Sequence, residues 1–253
     1  MADVGYIAIV VAGFGAYWWR HVRPMWTRPP DPLAADADVA VHVAQHEAVA
    51  RGQALSSVHV LYGLLQDDTV IAAIRTAGGD PDALEDRVLD ALAGDAARPV
   101  HHESPDDGHW RIGRAVAIAR RAERQVGCTD LWAILADSPA AELLEAARLD
   151  RGAVLFVLFH GGAAPELPAA EHRDVFVVLR NDHYTTQEFV CSVLRDVFAL
   201  SDVQAQALML ATHSHGRAVI GRFTAAAARA KIADARTRAR AHAFPLWLGV
   251  EPA

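Results

Sequence analysis

Residues 35 to 161 carry one apolar pattern twice, and this repetition limits their fold more than any other feature of the chain. Slid by 70 positions, Leu61, Leu64, Leu65, Ile74, Ala77, Asp80, Leu84 and Val88 fall on Leu131, Ile134, Leu135, Leu144, Ala147, Asp150, Val154 and Leu158. The matched positions are mostly apolar, so what repeats is a core-facing pattern. The texture is helical. "VHVAQHEAVARGQAL" has helical apolar spacing, Ser57 can cap "VHVLYGLLQ", Gly78 and Gly79 can end a helix, and Asp80 followed by Pro81 starts another. "DAARPVHHESPDDG" is the polar connection between the copies. The expectation is an all-α domain of two four-helix repeats over 35–161.

Beyond "GGAAPELPAAEH", a Pro- and Ala-rich linker over 162–172, the pattern changes. "DVFVVLR" is a β-branched strand. In "TTQEFVCSVLRDVFAL" Thr185 and Glu188 have capping-box spacing, and Phe189, Val193 and Val197 make an apolar face. Ser201 opens the next helix and Gly216 ends it; "RAVIGRF" is a second strand, Thr224 caps a long helix, and "PLWLGV" is a third strand. The order β-α-α-β-α-β over 173–253 predicts a small α+β domain with a three-stranded antiparallel sheet.

The net charge of −7 argues against a nucleic-acid partner, which needs a basic surface. Arg229, Arg236, Arg238 and Arg240 then read as a solvated helix face. With 52% hydrophobic residues the chain can bury a real core, and Ala-rich segments favour helix. Cys128 and Cys191 are far apart in apolar helical contexts and read as reduced, buried thiols. No G-x-x-x-x-G-K-[ST] loop occurs, so ATP hydrolysis by that route is excluded. His42 and His46 stand at i and i+4 without a third ligand beside them, and with His101, His102 and His109 they read as ordinary histidines. No metal or cofactor is expected.

"VGYIAIVVAGFGAYWW", Val4 to Trp19, carries no charge. As a helix it would span roughly 24 Å, slightly short of a hydrocarbon core. Tyr17, Trp18, Trp19 and Trp26 cluster at one end, with Arg20, Arg23 and Arg28 close by. The expectation is a single-pass anchor over 1–23 in the inner membrane, followed by a Pro-rich linker over 24–34, with everything after Arg20 cytoplasmic by the positive-inside rule. A buried amino-terminal helix or an uncleaved signal is the alternative.

Two families are suggested by these residues. "SSVHVLYGLLQDD", "AGGDPDALEDRVLDALAG" and "RLDRGAVLFVLFHG" resemble the Clp amino-terminal domain, the double-repeat module of ClpA and ClpC unfoldases, which has no active site and receives adaptors and substrates. "VVLRNDHYTTQEFV", "LMLATHSHGRAVIG" and "AFPLWLGVE" resemble the three signature stretches of the ClpS adaptor family over 172–253. The second resemblance implies a non-enzymatic adaptor that binds N-degrons, chains whose first residue is a large apolar one, and delivers them to a ClpA/ClpC-type AAA+ unfoldase. It implies that Asn181, Asp182 and His213 hold the substrate's amino group, that Thr185, Met209, Thr212 and Leu246 line the side-chain pocket, and that Lys231 docks the unfoldase.

An ammonium carries three donors and no acceptor, so a dry site for it must supply acceptors. An amide carbonyl, a carboxylate and a neutral imidazole meet that need. The family has a second Asp where this chain has His183, a gating Met where it has Gln187, and an acidic docking residue where it has Ala226. These departures keep a second reading open, a scaffold or regulator of Clp protease assembly with a diverged peptide pocket. A third, a metal-dependent hydrolase built on Asp182, His183, His213 and His215, is disfavoured because a His-x-His pair on a helix points its members apart. The two modules are normally separate partners. Joined by about ten residues they gain an effective concentration on the order of millimolar, and docking of one on the other is expected.

Overall fold

In the computed structural model, residues 31–94, 108–121, 123–166 and 174–253 are described. The anchor expected over 1–23, most of the 24–34 linker, and His101 and His102 lie outside them. Among the described residues no helix is long and apolar enough to cross a membrane.

The first half is helical: α1 Ala35–Ala50, α2 Ser57–Leu64, α3 Asp68–Thr76, α4 Pro81–Gly94, α5 Gly108–Arg121, α6 Cys128–Ala133, α7 Pro139–Ala146 and α8 Arg151–His160. Helix starts at 35, 57, 68 and 81 are answered by starts at 108, 128, 139 and 151, which are 70 to 73 residues later. The repeated positions Leu61, Ile74 and Leu84, and their counterparts Leu131, Leu144 and Val154, lie in one core with Trp132. Gly63 is required where α2 crosses α1, because a Cβ there would run into the carbonyl oxygen of Ala40.

Local signals set most boundaries. The Asp80 carboxylate accepts from the amides of Asp82 and Ala83 at 3.1 and 3.2 Å, and Gly78 leaves α3 at φ +85°. One cap differs from expectation. Ser56, rather than Ser57, precedes α2, and its side chain and backbone N–H both meet the ring of His59. Ser57 is buried instead, and its hydroxyl accepts from the amide of Ala140, which ties the first repeat to the second. Leu33, assigned to the linker, forms a parallel bridge with Val126.

The second half contains β1 Asp174–Arg180, α9 Gln187–Asp196, α10 Asp202–His215, β2 Arg217–Thr224, α11 Ala225–Ala241 and β3 Trp247–Pro252. The sheet is antiparallel in the order β2-β1-β3. Its central strand supplies Val177 and Leu179 to a core completed by Val193 and Leu194 of α9, Met209 of α10, Ile232 of α11 and Leu248 of β3. Ile220 is skipped in the β1–β2 register, where Val177 faces Gly221 and Val178 faces Val219. The caps on Ser201 and Thr224 fall where expected, and Gly216 ends α10 at φ +76°.

Among the described residues, the two halves meet through several contacts. The Tyr184 hydroxyl donates to Asp130 at 2.7 Å, and its ring packs on the helical core. The His160 ring Nε2 donates to the carbonyl of Pro245 at 2.8 Å. Gly152 meets Ala243 so closely that a Cβ would lie 2.9 Å from the Ala243 Cα. Arg236 adds a tie to the connecting segment, donating to the carbonyls of Pro165 and Leu248.

Candidate functional site

β1 ends at Arg180, and the chain must then turn into α9. The turn is built by Asp182. Its Oδ1 accepts from the amides of Tyr184 and Thr185 at 2.8 and 2.6 Å, and its Oδ2 accepts from the Thr185 hydroxyl at 2.7 Å. Asp182 as a whole is only 8% exposed. A carboxylate has about four lone-pair sites, so three donors leave one acceptor site on Oδ2. Asn181 is fixed by its own amide, which donates to the carbonyl of Gly216 at 2.8 Å and so joins the strand end to the end of α10.

This arrangement corrects the expected cap. Thr185 does not start α9, because its hydroxyl and amide are both spent on Asp182. Thr186 takes the role, accepting from the Phe189 amide at 3.3 Å. A carboxylate is the stronger acceptor, so it draws the nearer threonine out of the capping position.

A cleft of about 840 Å³ opens beside this turn. Asn181, Asp182, Thr185, Gln187, Met209, Thr212, His213 and Leu246 all line it. Met209, Thr212 and Leu246 are buried, while Gln187 and His213 are exposed. The Thr212 hydroxyl folds back to donate to the carbonyl of Leu208 at 2.8 Å. The cleft thus combines polar acceptors at a strand end with an apolar floor. Lys231 stands apart from it, donating to the carbonyl of Val197 at 2.5 Å and lying near the rings of Phe198 and Phe223.

His183, exposed, packs edge-on against Phe159 of α8 at 5.7 Å between centroids. Among the described residues no group of three or more His, Cys, Asp or Glu could hold a metal ion. The His42 ring meets the carbonyl and carboxylate of Asp38, and His215 meets the carbonyl of Ala211. Burial pushes the Cys128 thiol well above its ordinary range, with the charge of Asp36 adding to it, and both cysteines are free.

Sequence reading missed part of the lining. Val190, one helical turn from Gln187, and Phe244, two residues before Leu246, belong to the cleft and were reachable from local spacing. Arg114, Ile134, Asp137, Arg151 and Leu155 of the helical half also line it, and no local signal connects them to the strand end.

Comparison with known proteins addresses the second half. The family model for the ATP-dependent Clp protease adaptor protein ClpS matches residues 170–249. The ClpS adapter protein of Oleidesulfovibrio alaskensis is 44% identical over 81 residues, 32% of this chain and 78% of that protein. That of Desulfatibacillum aliphaticivorans is 45% identical over 76 residues, 30% and 73% respectively. A solved structure of Agrobacterium tumefaciens ClpS2 bound to L-phenylalaninamide is 32% identical and covers 33% of this chain and 100% of its own, at a TM-score of 0.32. On relatives of which it spans more than two thirds at over 40% identity, the chain belongs, through residues 170–249, to the ClpS family of Clp protease adaptors.

Proposed function

We propose that this adaptor binds substrates by a free amino terminus bearing a large apolar first residue and presents them to a ClpA/ClpC-type unfoldase. ClpS adaptors are non-catalytic, and no chemical step is needed. The observation that carries the reading is the convergence of Asn181, Asp182 and His213 with the buried Met209 and Leu246 on one cleft. The remaining Oδ2 acceptor of Asp182 and the Asn181 carbonyl suit an ammonium. A hydrogen bond to a charged group contributes about 1.5–3 kcal/mol. Burial of a Leu or Phe side chain over the apolar floor adds about 1.5–3 kcal/mol.

The helical half is read as a Clp amino-terminal-like double repeat, supported by its paired helix starts. Lys231 on α11 is the proposed contact to the unfoldase, and Val4–Trp19 is the proposed membrane tether. Fractionation of the full chain with membranes, compared with a chain starting at Leu33, tests the tether.

The decisive measurement is fluorescence anisotropy with peptides beginning with Leu or Phe, each also prepared amino-acetylated. The free peptides bind and the acetylated copies do not. Equal binding of both rules out amino-group recognition. It would favour instead a scaffold, a reading supported by the packing of His183 and Tyr184 on Phe159.

A further inference from the structure

The cleft has two walls, and only one comes from the adaptor domain. Its volume, about 840 Å³, is in the range of about 300–1,000 Å³ that takes a drug-sized ligand, well beyond a single side chain. Ile134, Asp137, Arg151 and Leu155 of the helical half line the same cleft as Asp182, Met209 and Leu246. The wall is held in place: Tyr184 reaches Asp130 on one side, and Gly152, next to Arg151, abuts Ala243 on another.

Arg151 is the half-buried cation of this wall. Among the described residues its guanidinium has one long contact, 3.5 Å from Nη1 to the carbonyl of Ala133. A guanidinium carries five donors, so this one contact leaves donors available to a chain lying in the cleft that Arg151 lines. Burial lowers its pKa, and the charges of Asp137, Asp150 and Glu145 oppose that shift. Asp137 is exposed on the same wall and supplies the complementary acceptor. Its backbone is fixed because Arg111 donates to the carbonyls of Ile134, Ala136 and Asp137 at 3.0–3.1 Å.

We propose that the helical half is the second wall of the peptide cleft, with Arg151 donating to, and Asp137 accepting from, the main chain of the residues that follow the substrate's first residue. Every non-proline residue offers one main-chain N–H and one carbonyl, so this wall reads chain length and leaves the downstream side chains free. The proposal rests on amino-terminal recognition in the same cleft. It differs from it in assigning binding to a part of the chain outside the adaptor domain.

The test compares leucine amide with an amidated hexapeptide of Leu followed by Ala and Ser, both titrated calorimetrically into the full chain. The hexapeptide binds on the order of tenfold tighter, as two added hydrogen bonds require. In Arg151→Met the ratio of the two affinities falls towards one, and Arg151→Lys and Asp137→Asn each retain part of it. A ratio near one in the unaltered chain overturns the second wall while leaving amino-terminal recognition standing. An undiminished ratio in both Arg151→Met and Asp137→Asn also overturns it. Absence of binding by either ligand overturns amino-terminal recognition, and the second wall with it.

Discussion

The Tyr184 hydroxyl donates a 2.7 Å hydrogen bond to Oδ1 of Asp130, 54 positions earlier in the chain and in the other half of the molecule. Asp130 is buried and already paired with Arg124 through contacts of 2.5 and 2.7 Å. Burial, reinforced by the Asp130 charge, raises the Tyr184 pKa above its usual value, so the phenol stays a donor throughout the neutral range. A residue of the Asp182-built turn is thereby tied to the helical core.

Tyr184→Phe removes one hydrogen bond and leaves the Arg124–Asp130 pair intact. It is expected to cost about 1 kcal/mol in urea denaturation of the full chain. Asp130→Ala strands the Arg124 guanidinium and is expected to cost about 3–5 kcal/mol. Equal losses for the two variants would mean that the phenol, and not the ion pair, organises this joint.

The burial of His160 at the joint between the halves makes stability depend on pH. Burial holds the His160 pKa below its ordinary 6.5, and Arg180 pushes the same way; the Pro245 carbonyl and the Asp182 charge oppose them. The folded chain therefore binds this proton less readily than the unfolded chain. The contribution is complete above the unfolded value and is lost as pH falls through the folded one. The melting temperature should drop on acidification below about 6.5. It should drop less steeply in His160→Gln, which keeps an N–H donor without titrating. Superimposable pH profiles for the two proteins would clear His160 of this role.

Asp182→Asn separates the two tasks of that side chain. The amide can still accept from the Tyr184 and Thr185 amides and can donate to the Thr185 hydroxyl, so the turn survives. The charge is gone, and the acceptor left on Oδ2 becomes an N–H donor, so a charge-assisted bond worth about 1.5–3 kcal/mol is lost. Affinity for Leu- and Phe-initiated peptides should fall by roughly tenfold or more, with little change in melting temperature. Unchanged affinity would remove Asp182 from amino-group binding.

Gly152→Val drives a side chain into the Ala243 backbone, 2.9 Å from the would-be Cβ to its Cα. Overpacking of this kind costs about 1–3 kcal/mol. Gly162→Ala, which meets nothing within 4 Å, should change stability by no more than about 0.5 kcal/mol. Thermal melts of the two variants beside the unaltered chain check both values, and a harmless Gly152→Val would show that the halves separate at no cost.

The sequence by itself determined the elements. The 70-residue offset, the β-branched run ending at Arg180, and the caps on Asp80, Ser201 and Thr224 are local patterns, and local backbone preference suffices to realise them. It also placed the polar turn, because Asn181 and Asp182 are neighbours at a strand end. Tertiary structure decided the rest. Ser57 is buried against Ala140 instead of capping α2, and Lys231 is engaged by the Val197 carbonyl. Arg151 and Asp137 reach the same cleft as Asp182. Those outcomes depend on which groups long-range packing brings within hydrogen-bonding distance, and neither hydrophobic period nor capping preference carries that information.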